Sequence, residues 1–369
     1  MKTKIISFAK SNAVVLIAAL AAIVTSFIVP PDREYLGYFD FKTLTCLFCV
    51  LAVVCALRNI RFFYTLAKAI IRKFKNTKLS ILALVYITFI GSMLIANDMA
   101  LLTFLPLGYF VLHTTGKEKY MAFTYIMQNI AANLGGMLTP FGNPQNLYLY
   151  TKFTIPDAEF VRIMFPPFIV AISLITALCL IFVKSEPLEI EEKAAELPKA
   201  RVAVYLVLFA LSILIVFRTI PFVVGLIVIP VSLLFLDKDA LKQVDYGLLL
   251  TFVFFFIFSG NMARIGVVRE FFSVLLEKNT LVFSALSCQV ISNVPSAILL
   301  SQFTSNYRDL LLGVNIGGVG TLIASLASLI TFKAYTKDQP GNTARYILKF
   351  TAFNFLFFAV LVTVSLLFF

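Results

Sequence analysis

Charge is scarce in this chain. Only 14% of its 369 residues are Asp, Glu, Lys or Arg, against 60% hydrophobic, and mean hydropathy reaches +0.94. No soluble domain carries that balance, so the composition predicts an all-α polytopic membrane protein. Polar runs are nearly absent too, which leaves no room for a large soluble domain. Lys184–Ala200, with Glu186, Glu189, Glu191, Glu192 and Glu196, is the only long one, and it reads as a linker between two halves. Histidine occurs once, at His113. A Ser–His pair therefore has a single base available, no Gly-x-Ser-Gly phrase is present, and an intramembrane aspartyl protease needs a second deep acid that the sequence does not offer. These shortages argue against an enzyme. There is no nucleotide-binding motif, so energy is expected from an ion gradient or a separate subunit, and no cofactor is expected. The five cysteines (Cys46, Cys49, Cys55, Cys179, Cys288) lie inside apolar segments, where Cys acts as a small hydrophobe rather than a disulfide or metal framework.

The net charge of +12 does not point to nucleic acid, because no basic–aromatic patch or reading motif accompanies it. The basic residues sit in a few loops beside apolar spans, the positive-inside pattern. Arg58, Arg61, Lys68, Arg72, Lys73, Lys75 and Lys78 form one acid-free group, expected on the cytoplasmic side. The loop with Asp32, Arg33, Glu34, Asp40 and Lys42 is expected outside, and Lys333–Lys349 inside. These assignments put the N-terminus in the cytoplasm and the C-terminus outside, in a prokaryotic-type plasma (inner) membrane. The apolar run 13–29 after Lys2, Lys4 and Lys10 resembles a signal peptide. However, the spacing Asp32-x7-Asp40 after it recurs as Asp237-x7-Asp245 after the run 222–236, so it reads as a retained first span.

Spans are predicted at 12–30, 41–57, 160–183, 201–217, 221–236, 245–262 and 344–369, with amphipathic interfacial helices at 59–74 and 263–278. Counting two broken helices, about nine segments cross fully. The sequence divides into a first repeat over 1–183, a linker and connecting span over 184–217, and a second repeat over 218–369. Residues 79–113 are too long for one span and break at Asn97-Asp98, which predicts a re-entrant hairpin with its tip at Ala96-Asn97-Asp98-Met99. Residues 280–303 form a second hairpin around Ser292-Asn293-Val294-Pro295.

A short phrase then occurs twice. Residues 133–139 read Asn-Leu-Gly-Gly-Met-Leu-Thr and residues 315–321 read Asn-Ile-Gly-Gly-Val-Gly-Thr. Each copy interrupts an apolar stretch, giving broken helices at 119–150 and 305–332. With the charge assignments, the halves become inverted repeats, the architecture of alternating-access carriers.

A broken helix exposes N–H groups that attract anions and C=O groups that suit Na⁺ or H⁺. Asn97, Thr139, Asn143, Ser292, Asn293, Thr321 and Ser325 supply oxygens and amides around that point, and Asn146 follows in the same phrase. Gly135, Gly136, Gly142, Gly317, Gly318 and Gly320 permit unwinding, while Pro140, Pro144 and Pro295 interrupt the helical ladder. Asp98 is the one carboxylate the sequence places deep in the membrane, and so a natural H⁺ or Na⁺ coupling residue. A Na⁺ is expected near Asn97, Asp98 and Asn143. Val294 stands at the corresponding position of the second half, so coupling is expected mainly in the first. His113 and Arg264 read as interfacial residues.

These motifs resemble the ion transporter superfamily of arsenical pump membrane proteins, citrate-type carriers and divalent anion/sodium symporters. Ala96-Asn97-Asp98-Met99-Ala100-Leu101 and Ser292-Asn293-Val294-Pro295 are similar to the two hairpin phrases of arsenite permeases. Thr139-Pro140-x-Gly142-Asn143-Pro144-x-Asn146-Leu147 resembles the broken-helix phrase of citrate-transporter-like domains. The resemblance implies an inverted-repeat secondary carrier, often a homodimer, in the lipid bilayer. Divalent anion symporters carry Ser-Asn-Thr at both tips, and this chain does not, which favours coupling through Asp98. The first expectation is therefore a carrier of a small anion (a carboxylate, arsenite or a similar oxyanion) coupled to H⁺ or Na⁺. A Na⁺/H⁺ antiporter of the same superfamily is the second, and a channel fits less well.

Overall fold

The computed structural model describes residues 13–188 and 197–368. The N-terminal lysines and the acids Glu189, Glu191, Glu192 and Glu196 of the linker lie outside the described residues. Every regular element described is helical. In chain order these are α1 (Ala13–Ile28), α2 (Phe41–Asn59), α3 (Phe62–Ile71), α4 (Thr77–Ile95), α5 (Asn97–Thr114), α6 (Met121–Gly135), α7 (Pro144–Lys152), α8 (Asp157–Phe182) and α9 (Lys199–Val216). The series continues with α10 (Phe222–Leu236), α11 (Lys238–Lys242), α12 (Tyr246–Arg264), α13 (Gly266–Ile291), α14 (Asn293–Leu300), α15 (Tyr307–Ile316), α16 (Leu326–Asp338) and α17 (Thr343–Phe368). Seven of the described helices are long and apolar enough to cross a membrane, and α1 and α10 are shorter apolar ones. The protein is an all-α, multi-pass membrane protein. Lipid-facing apolar surface explains side chains such as Phe27 and Phe235, each more than 80% exposed.

The residue at each predicted hairpin tip breaks the helix in the same way. Ala96 adopts φ 65°, ψ 152° and Ser292 adopts φ 75°, ψ 159°, a region that side chains other than glycine rarely enter. Helix α4 leads into the first tip and α5 leaves it. Beyond Asn279 (φ −166°, ψ 94°), whose side chain accepts from Val282 N–H, the second part of α13 leads into the other tip and α14 leaves it. The expected boundary between interfacial helix and second hairpin thus falls at one extended residue inside an otherwise continuous helix. Pro144 and Pro295 do not cut a helix. They sit in the first turns of α7 and α14, where a missing N–H costs nothing.

Two packing groups emerge. Helices α1, α2, α9, α10 and α12 pack among themselves; the hairpins and broken helices pack with each other and with α8 and α17. The groups meet where α7 lies on α2 and α14 lies on α12. Loop contacts sort into two faces. On one, Asn59 bonds Asp237, Arg58 bonds Gln243, and Tyr125 bonds Asp338. On the other, Arg264 pairs with Asp32, Arg218 donates to the Tyr150 carbonyl, and Tyr307 bonds Glu159.

The start of the linker is pinned to the first face. Thr77 N–H donates to the Glu186 carbonyl at 2.9 Å, and the Glu186 carboxylate takes Lys117 and Lys119 at 2.6 Å each. Those two lysines, Lys117 first, hold the Glu186 carboxyl at about 2, below its ordinary 4.5. A carboxylate so lowered contributes stability above its ordinary value, and the contribution disappears as pH falls toward 2. The pin should therefore be intact at both pH 5 and pH 7. Glu186→Gln is expected to accelerate hydrogen exchange of amides 184–188 at both values, and equal exchange in variant and wild type would remove this role.

Candidate functional site

Each hairpin tip docks on the break of the broken helix in its own half. Asn97 N–H donates to the Gly142 carbonyl at 3.1 Å, and Asn293 N–H donates to the Ala324 carbonyl at 2.9 Å. The threonine that closes each repeated phrase fastens the same joint. Thr139 Oγ1 donates to the Met93 carbonyl at 2.6 Å and Thr321 Oγ1 to the Gln289 carbonyl at 3.0 Å. Their hydroxyl protons are thus committed to the hairpin backbone, which makes both threonines positioning residues. The second glycine before each break lies under a tip or loop. A Cβ on Gly136 would stand 2.4 Å from Asn143 Oδ1, and one on Gly318 would stand 3.2 Å from Asn293 Nδ2.

Between the broken helices lies a buried amide network. Asn133 and Asn315, the first residues of the two phrases, are its hubs. Asn133 Oδ1 accepts from Asn97 Nδ2 (3.2 Å) and from Ser325 Oγ (2.8 Å). Asn315 Oδ1 accepts from Asn143 Nδ2 (3.2 Å) and Gln145 Nε2 (3.3 Å). The residue before each second half-helix, Asn143 or Ser325, therefore reaches the hub of the opposite half. Asn146 closes the C-terminal end of the first broken segment by donating toward the carbonyls of Gly136, Met137 and Thr139, each at 3.2 Å. Gln289 does the same work in the second half, donating to the Gly317 and Val319 carbonyls. Gly320 lies against Gln289 with φ +130° and no room for a Cβ. Pro140 is buried in the first loop.

Four helix N-terminal ends meet around this network: α5 at Asn97, α7 behind Asn143, α14 at Asn293 and α16 behind Ser325. Each end carries partial positive charge and backbone N–H groups. No Lys, Arg or His takes part in the network's described hydrogen bonds. Asn143 Oδ1 and Gln145 Oε1 are buried oxygens without a partner among the described residues, so the same place also offers acceptors.

Asp98 stands apart from Asn97 and Asn143. Its carboxylate faces a small cavity of about 20 Å³ between Val50 of α2, Phe141 and Pro144 of the first break, and Asp245 at the start of α12. That volume suits one water or one small ion. Asp98 Oδ1 is buried with no partner among the described residues, and Asp245 Oδ1 accepts the Leu248 N–H at 2.8 Å. The cavity therefore has a second acid beside Asp98. Asp245, expected only as the border of a span, shares its cavity from the N-cap position of α12. A cavity of this size admits no peptide, so two acids here do not revive the protease reading. His113 is exposed and pairs with Glu118, and Arg264 pairs with Asp32 and Glu34.

A family model described as citrate transporter matches residues 4–306. An uncharacterized transporter of Methanocaldococcus jannaschii is 33% identical over 301 residues, 81% of this chain and 82% of that protein. The inner membrane protein YbiR of Escherichia coli is 27% identical over 322 residues, 85% of each chain. The extent of the family match shows that this membrane transporter belongs to the citrate transporter family.

Proposed function

We propose that the protein is a secondary active transporter that moves a small anion, a carboxylate or a similar oxyanion, by alternating access coupled to H⁺ or Na⁺. The observation that carries this is the convergence of four helix N-terminal ends on one buried amide network, without a cationic side chain in its hydrogen bonds. The dipoles of these four helix ends favour an anion there. The two halves act as inverted repeats: the first hairpin opens toward the cytoplasm, the second toward the outside. The packing group of α1, α2, α9, α10 and α12 serves as scaffold, and the other carries the substrate. Asp98 faces the seam between the groups, so a change in its charge acts on their contact. The coupling ion is placed at this seam rather than among Asn97 and Asn143.

Proteoliposomes with an internal pH dye test the reading. They are challenged with Na⁺ alone, then with citrate and other di- and tricarboxylates, sulfate and arsenite. Proton movement only when one anion is supplied supports the carrier and names its substrate.

The pair of acids in one cavity favours a second reading, Na⁺/H⁺ antiport without an anion, and proton movement driven by Na⁺ alone would establish it. Two carboxylates across a one-ion cavity bind a cation or share a proton better than either alone. Asp245→Asn is expected to weaken the apparent affinity for the coupling ion by about tenfold, while removing the α12 cap only in part, since Asn is also a good N-cap. An unchanged ion dependence would confine coupling to Asp98.

A further inference from the structure

The face that carries Asn59 and Asp237 also holds a cavity of about 320 Å³ between the end of α2, the start of α3 and the middle of α5. Its size is at the lower end of the range for small-molecule sites. Arg58 and Arg61 form its basic wall, with Tyr64 beside them and Thr103 opposite. The chain reverses between the two arginines. Arg61 adopts φ 57°, ψ 28°, a left-handed conformation unusual for a residue other than glycine, and its N–H donates to the Arg58 carbonyl at 2.8 Å. This turn sets two guanidinium groups on one cavity.

Neither has a carboxylate within ion-pair distance among the described residues. Arg58 is half-buried; its Nη2 donates to Gln243 Oε1 at 3.0 Å and its Nη1 lies 3.5 Å from Met99 Sδ. The nearby acid, Asp237, is engaged elsewhere, accepting from Asn59 and capping α11 at Ala240 N–H. The opposite face shows the contrast, for there Arg264 is neutralised by Asp32 and Glu34. A guanidinium drawn partly out of water ordinarily meets an anion.

We infer that this cavity is a second anion site, separate from the crossing of the broken helices, in which Arg58 and Arg61 hold a carboxylate or phosphate. Guanidinium forks suit both groups. Tyr64 adds a hydroxyl, whereas the Thr103 proton is committed to the Met99 carbonyl at 2.8 Å. Through Met99 the site touches the residue next to Asp98, so an anion bound there adjoins the first hairpin tip. The oxyanion comes either from solution or from the phosphate of a lipid headgroup, and the chemistry of recognition is the same.

Arginine modification by phenylglyoxal, read by peptide mass spectrometry on the whole protein, tests this without relying on transport. In nanodiscs of neutral phosphatidylcholine, citrate or inorganic phosphate at ten times its half-saturating concentration should slow modification of Arg58 and Arg61 about tenfold. Exposed Arg72, at the end of α3, should react at an unchanged rate. Protection by phosphatidylglycerol in the bilayer, with none from citrate or phosphate, keeps the oxyanion site and assigns its source to lipid. Arg61→Gln should weaken the protection of Arg58 in whichever arm shows it. Equal modification of Arg58, Arg61 and Arg72 in every arm would overturn the inference.

Discussion

Replacing Asp98 by asparagine is expected to reduce coupled proton or sodium movement on the order of a hundredfold or more, the usual scale for losing a proton-transfer group. The expectation rests on where the carboxylate sits. Asp98 occupies the first turn of α5, and its own N–H is taken by Asn97 Oδ1 at 2.9 Å. The positive end of α5 therefore favours a negative charge there. Asp98 Oδ1 has no partner among the described residues, and across the one-ion cavity stands Asp245. Asparagine keeps the volume and one carbonyl oxygen but neither takes up nor releases a proton. The fold should be spared, with unfolding in detergent changed by about 1 kcal/mol or less. Two measurements decide the matter: ion flux in proteoliposomes and thermal unfolding of the purified variant. Flux at the wild-type level would remove Asp98 from coupling, and a large drop in melting temperature would make the residue structural.

The hairpin tips were legible because a polar pair inside an apolar run has few places to go in a membrane, and Asn97-Asp98 and Ser292-Asn293 are such pairs. Helix limits fall within a few residues of expectation for the same reason: hydrophobic length is set by the bilayer. What the sequence concealed depends on three-dimensional pairing. Ala96 and Ser292 carry the positive φ at the tips, although neither is glycine, because the docking bonds of Asn97 and Asn293 hold the backbone there. Gln289 lies in an unremarkable apolar stretch, and its role in closing the second break emerges only once α13 is laid against residues 317–321. Gln145 joins the amide network from a helix position that no spacing rule marks. Asp245 reads in sequence only as the border of a span, since no spacing places it beside Asp98. The repeated phrase begins at both hubs, Asn133 and Asn315, yet neither is among the residues the sequence singled out, because their cross-half bonds appear only once the two broken helices lie together.

Alanine at Gly135 or Gly317 is expected to undo the docking of one hairpin, and the two variants together test the repeat architecture. Each glycine lets a broken helix lie directly on the first arm of its own hairpin. A Cβ on Gly135 would stand 2.1 Å from the Phe89 carbonyl oxygen, and one on Gly317 would stand 2.8 Å from the Ala285 carbonyl oxygen. These obstacles are backbone atoms, so no rotamer change relieves them, and the helices must separate. Overpacking of this kind typically costs about 1–3 kcal/mol. Because the arms end at the tips, the shift is carried to Asn97 in one case and Asn293 in the other. If the halves are inverted repeats with one shared site, both variants should lose transport, and Gly135→Ala should be the more destabilised, following the shorter approach. Serial measurement of melting temperature and flux on both variants checks the order. Loss of transport from Gly135→Ala alone would mean that only the first hairpin takes part, and the second break would then be scaffold.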